Sequence, residues 1–201
     1  MEDVCNVRLS GIIEKEAVKA FSVPVYSMYE TEIRVERHSG EFDIIKLNVK
    51  EDSVGAVNAL IGKNVCVDGE LRTYKRNDGC SETCLLVHSI VESDEKVNYA
   101  KIVGLPVKLR STANGKGIPV CEARVEIKGK YDKMSRVTAV GWGGIARVLE
   151  GVHEGEKILA EGRVQSRQMK GNGGNGPKTV EITIKHLEVL KNGEEDSVET
   201  Q

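Results

Sequence analysis

The sequence predicts an all-β chain folded as two tandem five-stranded Greek-key barrels, each with a short helix between its third and fourth strands. Three observations lead there. Gly11 and Gly104, Gly62 and Gly155, and Gly69 and Gly162 each match at a separation of 93 residues, so the chain repeats itself. The repeated stretches are short runs rich in Val, Ile and Leu bounded by Gly, Asn and Asp, as strands and turns are. One stretch in each half changes to helical period. The 201 residues, 39% hydrophobic and 30% charged, suffice for two modest soluble cores.

In the first unit, VCNVRLSGII is an apolar strand with Gly11 inside it, where a barrel strand must bend. YETEIRVER and IIKLNV form a hairpin around the turn HSGEFD. EDSVGAVNALIG places Val54, Val57, Leu60 and Ile61 at helical spacing, with Gly62 as terminator. KNVCVDGELRTYKR and ETCLLVHSIVE supply the last two strands. The second unit repeats this order. YAKIVGLPV leads into a long loop, KLRSTANGKGIP, and then VCEARVEIKG and SRVTAVGW pair around KYDKM. Ile145, Val148, Leu149 and Val152 form the helical stripe, stopping near Gly155, and KILAEGRVQSR and KTVEITIKHLEVL close the barrel. The expected domains are residues 1–93 and 98–191, joined by ESDEKVN, with an acidic disordered tail over 192–201. Three strands, a helix and two strands is the order of the oligonucleotide/oligosaccharide-binding (OB) fold. Its ligands lie on the face of strands 2 and 3, between the loops joining strands 1–2 and 4–5.

VTAVGWGGIARVLEGVHEGEKILAEGRVQSRQ resembles the central stretch of bacterial single-stranded DNA-binding proteins: a strand ending in an aromatic, a glycine-led helix start with an alanine, then a basic strand. IGKNVCVDGELRTYKR in the first unit is similar through its Gly-x-Leu-Arg-Thr core. The resemblance covers most of both units. It implies single-stranded DNA binding, with Trp142 on the strand-end aromatic that stacks on a base, and with Arg72, Thr73 and Arg163 on the basic fourth strands. The chain departs from the family where an aromatic after that strand is replaced by Arg76 and Met169, and where it ends in EEDSVETQ. By the same analogy, two such chains would assemble into a homodimer of four OB folds.

A sequence-tolerant single-strand binder needs a cationic groove and aromatic platforms, each stacked base contributing ~1–3 kcal/mol. Trp142 lies between glycines and reads either as such a platform or as a half-buried core residue. Tyr74 sits among Arg72, Lys75 and Arg76, an aromatic interleaved with cations. Tyr131, in the turn with Lys128, Lys130 and Lys133, reads equally as a stacking or an exposed residue. Phe21 and Phe42 flank turns and read as packing residues. Arg72, Lys75, Arg76, Arg163, Arg167 and Lys170 lie on or after the fourth strands, and Lys46 and Arg136 lie on the third. As a set they read as phosphate contacts, which position a strand without reading its sequence. QMKGNGGNGPK lacks the P-loop spacing and reads as a flap over bound nucleic acid.

Residues 1–97 carry 12 Lys and Arg against 18 Asp and Glu, while residues 98–201 carry 17 against 13. This asymmetry points to a polyanion partner for the second unit above all. It also admits another reading, a primosome-like interaction module whose acidic first unit binds protein while the second binds nucleic acid. Nothing in these residues distinguishes RNA from DNA. The five cysteines are irregularly spaced, as free thiols are, although Cys80, Cys84 and His88 leave a metal site formally open. No nucleophile motif surrounds the four histidines, so neither an enzyme nor a cofactor is expected. No run approaches the ~20 apolar residues of a membrane span, the acidic N-terminus lacks a signal-peptide stretch, and the expected compartment is the cytoplasm.

Overall fold

The computed structural model describes residues 1–23, 26–37, 39–75, 81–129, 133–168 and 178–191. The first half runs β1 (Val4–Ile13), β2 (Val18–Val23), β3 (Tyr26–Glu36), β4 (Phe42–Lys50), a 3-10 turn (Glu51–Ser53), α1 (Val54–Asn58), β5 (Asn64–Lys75) and β6 (Ser81–Glu92). The second runs β7 (Asn98–Ala113), β8 (Pro119–Lys128), β9 (Met134–Trp142), α2 (Gly144–Glu150), β10 (Lys157–Gln168) and β11 (Lys178–Leu190).

Each half closes on itself. β1 pairs antiparallel with β3 and β5, β3 with β4 and β5 with β6, and β4 closes the ring by lying parallel to β6. The second ring repeats this with β7–β8, β8–β9, β7–β10, β10–β11 and the parallel pair β9–β11. These are two OB barrels, with the expected helix between the third and fourth barrel strands. Alternation turns Ile33, Ile45, Leu47, Leu71 and Leu85 into the first core, and Ile102, Val125, Ala139, Ile158 and Ile182 into the second; all are at most 1% exposed. Fully burying a side chain of this size stabilises the fold by ~1.5–3 kcal/mol.

The repeated glycines have specific causes. A Cβ on Gly11 or Gly104 would strike the carbonyl oxygen of Arg34 or Glu126 on the neighbouring strand. One on Gly69 or Gly162 would strike the oxygen of Leu86 or Thr183, beside a bulge in each ladder. Gly62 and Gly155 hold φ of 78° and 87°, a left-handed turn that favours glycine.

Two expectations need correction. Residues 108–113 belong to β7, which pairs with β8 from Leu105↔Glu126 to Ala113↔Pro119, so the long loop is a hairpin with only residues 114–118 at its tip. The first unit also contains an unforeseen strand, β2, paired with β3. Residues 108–113 are mostly exposed, as are Val18 and Phe21 of β2, and the order of both segments comes from the partner strand's hydrogen bonds rather than from burial. In α2 the buried residues are Ala146 and Leu149, while Val148 faces outward at 50% exposure.

The barrels join through antiparallel pairing of β1 with β7, in which Val7 faces Ala100, its own counterpart 93 residues on. A pseudo-twofold axis therefore passes through that pair, and further contacts obey it. The Thr73 hydroxyl on β5 donates to the Arg136 carbonyl (2.7 Å) and accepts from its N–H (3.2 Å). The Ser166 hydroxyl on β10 accepts from the Ile44 N–H (3.4 Å) and donates to Asp43 (3.0 Å).

Candidate nucleic-acid interface

Residues directly opposite in an antiparallel pair share a face, so the register defines the outer surface of the second barrel. Lys108 and Arg110 of β7 lie beside Arg124 and Glu122 of β8, which lie beside Thr138 and Val140 of β9. Val120 faces Trp142 at the strand end. Trp142 is 43% exposed and precedes Gly143, whose φ of 58° turns the chain into α2. From the Thr138 row to Trp142 is four strand residues, ~13 Å.

The carboxylates on this face are occupied. Arg167 bridges Glu122 (2.7 Å) and Glu181 (2.9 Å), and Arg136 holds Glu126 (2.6 Å). Burial raises the Glu181 carboxyl above its ordinary range. Lys108, Arg110, Lys116 and Arg124, by contrast, form no ion pair among the described residues. The sequence does not single out these cations, because three of them lie in the segment that reads as a loop; the alternation Lys108, Arg110, Thr112 is the available signal.

On the equivalent face of the first barrel most cations are paired, with Lys50 at the end of β4 left without an ion pair among the described residues. Lys46 contacts Glu82 (2.7 Å) and Glu30 (3.8 Å), Lys15 contacts Glu32 (2.8 Å), and Arg34 contacts Glu14 (2.6 Å). Tyr74 stands 6.5 Å from the ring of Phe21, at a 53° tilt, so the two form an aromatic pair on this unit.

The remaining candidate cations lie elsewhere. Arg72 is 14% exposed, pairs with Glu70 at 2.7 Å and lies against Gly129 of the other barrel. Arg163 lines a cleft between the barrels. The backbone of Lys75 ends β5, but its side chain, together with Arg76, Tyr131, Lys170 and residues 169–177 of the segment QMKGNGGNGPK that reads as a flap, lies outside the described residues. Cys80 does too, while Cys84 is buried and His88 stands 3.5 Å from Glu70.

Buried Asp43 ties the units together: Arg37 donates to it twice (2.6 and 2.8 Å) and the Ser166 N–H once (2.6 Å). Burial pushes its carboxyl upward, but these hydrogen bonds outweigh that and hold it below the ordinary carboxylate range. At one matched position the units differ in chemistry. Asn98 donates to the Val164 carbonyl and accepts from its N–H, both at 2.8 Å. Its counterpart Cys5 does the same to Leu71 at 3.8 and 3.2 Å, and burial pushes that thiol up to about 11.

No protein-family model matches the chain. It is 31% identical over 78 residues to a thylakoid-associated single-stranded DNA-binding protein of Synechocystis, a match spanning 37% of this chain and 60% of that protein. Two crystal structures of the single-stranded DNA-binding protein from Thermus aquaticus superpose with a TM-score of 0.75 at 12% and 13% identity. One, a deletion mutant, matches over 97% of this chain and 98% of its own; the other, the wild type, over 96% of each. They show that the whole two-barrel architecture is shared. Bacterial-type single-stranded DNA-binding proteins are thus what this chain resembles in sequence and in fold.

Proposed function

We propose that this chain is a non-catalytic, sequence-tolerant single-stranded DNA-binding protein that shelters exposed strands in replication, recombination or repair. Its domains are residues 1–93 and 98–191, with an acidic tail at 192–201, it works in the cytoplasm, and it assembles as a homodimer carrying four OB folds. One observation carries the reading: an exposed tryptophan shares the outer face of the second barrel with Lys108, Arg110 and Arg124, cations that no carboxylate among the described residues has neutralised. Such a surface offers a base a ring and a backbone its counterions. The name of the Synechocystis relative agrees with it.

The test is anisotropy of labelled dT oligomers and of a duplex at rising salt. Tight binding of the single strand, sequence-independent and weakening steeply with salt, supports the reading; equal affinity for duplex, or none for either, contradicts it. The paired cations of the first face favour a second reading in part, with nucleic-acid binding confined to the second unit and the first free to hold a protein. Charge removal on each face in turn separates the two.

A further inference from the structure

The barrels enclose between them a cleft of about 730 Å³, lined by residues of both units and by the segment joining them. Its wall continues the outer face of β3 and β4, because Glu36 and Phe42, the last facing pair of that hairpin, line it. Phe42 reads from sequence as a packing residue, yet it is 49% exposed. One side of its ring is braced by the Arg34 guanidinium, 4.4 Å from the ring centroid, and Glu14 fixes that guanidinium in turn at 2.6 Å. Across the units, Arg163 of β10 lines the same cleft. It forms no ion pair, and its buried Nε has no hydrogen-bond partner among the described residues. A guanidinium with an unpartnered buried donor and no carboxylate beside it is suited to take an anion on its remaining N–H groups.

The carboxylates nearby are largely committed. Asp43 is held by Arg37 and Ser166, Glu95 by Arg8 and Asp94 by Asn64. Among the described residues, that leaves Glu36 and Asp94, whose Asn64 partner is uncharged, beside two cations without an ion pair, Arg163 and Lys96. The pseudo-twofold sharpens the point. The position equivalent to Arg163 is Glu70, in the opposite cleft, and there the guanidinium of Arg72 satisfies it at 2.7 Å. Of the two clefts, the one at Arg163 combines an exposed ring with an unsatisfied guanidinium.

We propose that this cleft takes one nucleotide of the bound single strand, its base on the free face of Phe42 and its phosphate on Arg163, as the strand passes from one barrel to the other. The cleft volume is in the range of small-ligand sites, ~300–1,000 Å³. The proposal rests on the reading of the chain as a single-strand binder.

The test uses the full chain with Phe42→Ala, Arg163→Gln and Trp142→Ala, titrated with a short dT oligomer that covers one barrel face and a longer one that spans both units. Phe42→Ala and Arg163→Gln should each weaken the longer oligomer roughly tenfold, within the range for one stacked base, and leave the short one unchanged. Photocrosslinking with iodo-deoxyuridine should label the peptide that contains Phe42. Unchanged affinity for the longer oligomer in either variant overturns the cleft assignment, and if Trp142→Ala still weakens binding, the functional reading stands without it. A wild-type chain that binds neither oligomer removes both. Phe42 is exposed, so its truncation leaves the fold intact even if Arg163→Gln does not.

Discussion

The two barrels share a backbone plan but treat their charges differently. On the first, Lys46, Lys15 and Arg34 are each drawn onto a carboxylate of the same surface. On the second, arginines absorb Glu122, Glu126 and Glu181, and the cations of the long β7–β8 hairpin are left over. A duplicated fold therefore need not give a duplicated function. What a polyanion meets is the charge remaining after internal pairing, and net charge alone conceals it.

The largest effect expected on this comparison concerns the lock between the units. Asp43→Asn leaves the Arg37 guanidinium with only the exposed Glu41 carboxylate, 3.2 Å away, as charge partner and should destabilise the chain by ~3 kcal/mol in denaturant unfolding. The pH dependence has a defined sign. Because the folded-state carboxyl is depressed, its contribution is present above the ordinary Asp value of 3.8 and disappears as pH falls through the folded value. The variant should accordingly lose less stability than wild type between neutral and acid pH.

Trp142→Ala should weaken single-strand binding by ~1–3 kcal/mol without moving the unfolding midpoint, since the ring is exposed. Removing charge from the second face, with Lys108→Gln, Arg110→Gln and Arg124→Gln together, should flatten the salt dependence by ~0.7 for each phosphate no longer neutralised. A single change on the first face, Lys46→Gln, should leave that slope unaltered, because Lys46 is already paired with Glu82. Equal slopes in both variants would mean that the faces are equivalent after all.

The smallest effect concerns the matched pair Cys5 and Asn98. Cys5→Asn should give the first unit the same two-pronged bond to the backbone at Leu71, raising stability by ~1 kcal/mol in thermal unfolding. An unchanged or lowered midpoint would show that the thiol is there for its packing.

The fold is legible in the sequence because its cues are local. The three glycine pairs mark positions where a side chain would strike a neighbouring backbone or where φ is positive, and such demands recur in both units. Residues 108–113 are not legible as strand, because Lys, Arg, Ser and Thr on an exposed hairpin look like a loop until a partner strand is known. The site is legible in part. Trp142 is visible as an aromatic between glycines, but which cations remain free depends on contacts distant in sequence, such as Lys46 with Glu82 and Arg167 with Glu122. Arg72 resembles a family contact and is nonetheless tied to Glu70.

Trp142 is the single tryptophan of the chain, so its fluorescence reports on the second face alone. Titrating it with dT oligomer at low and high salt is the most direct test. Strong quenching that shifts to higher oligomer concentration with salt, and disappears in the Lys108, Arg110 and Arg124 triple variant, is the predicted result. Binding seen by anisotropy with the tryptophan signal unchanged would place the strand elsewhere and contradict the account.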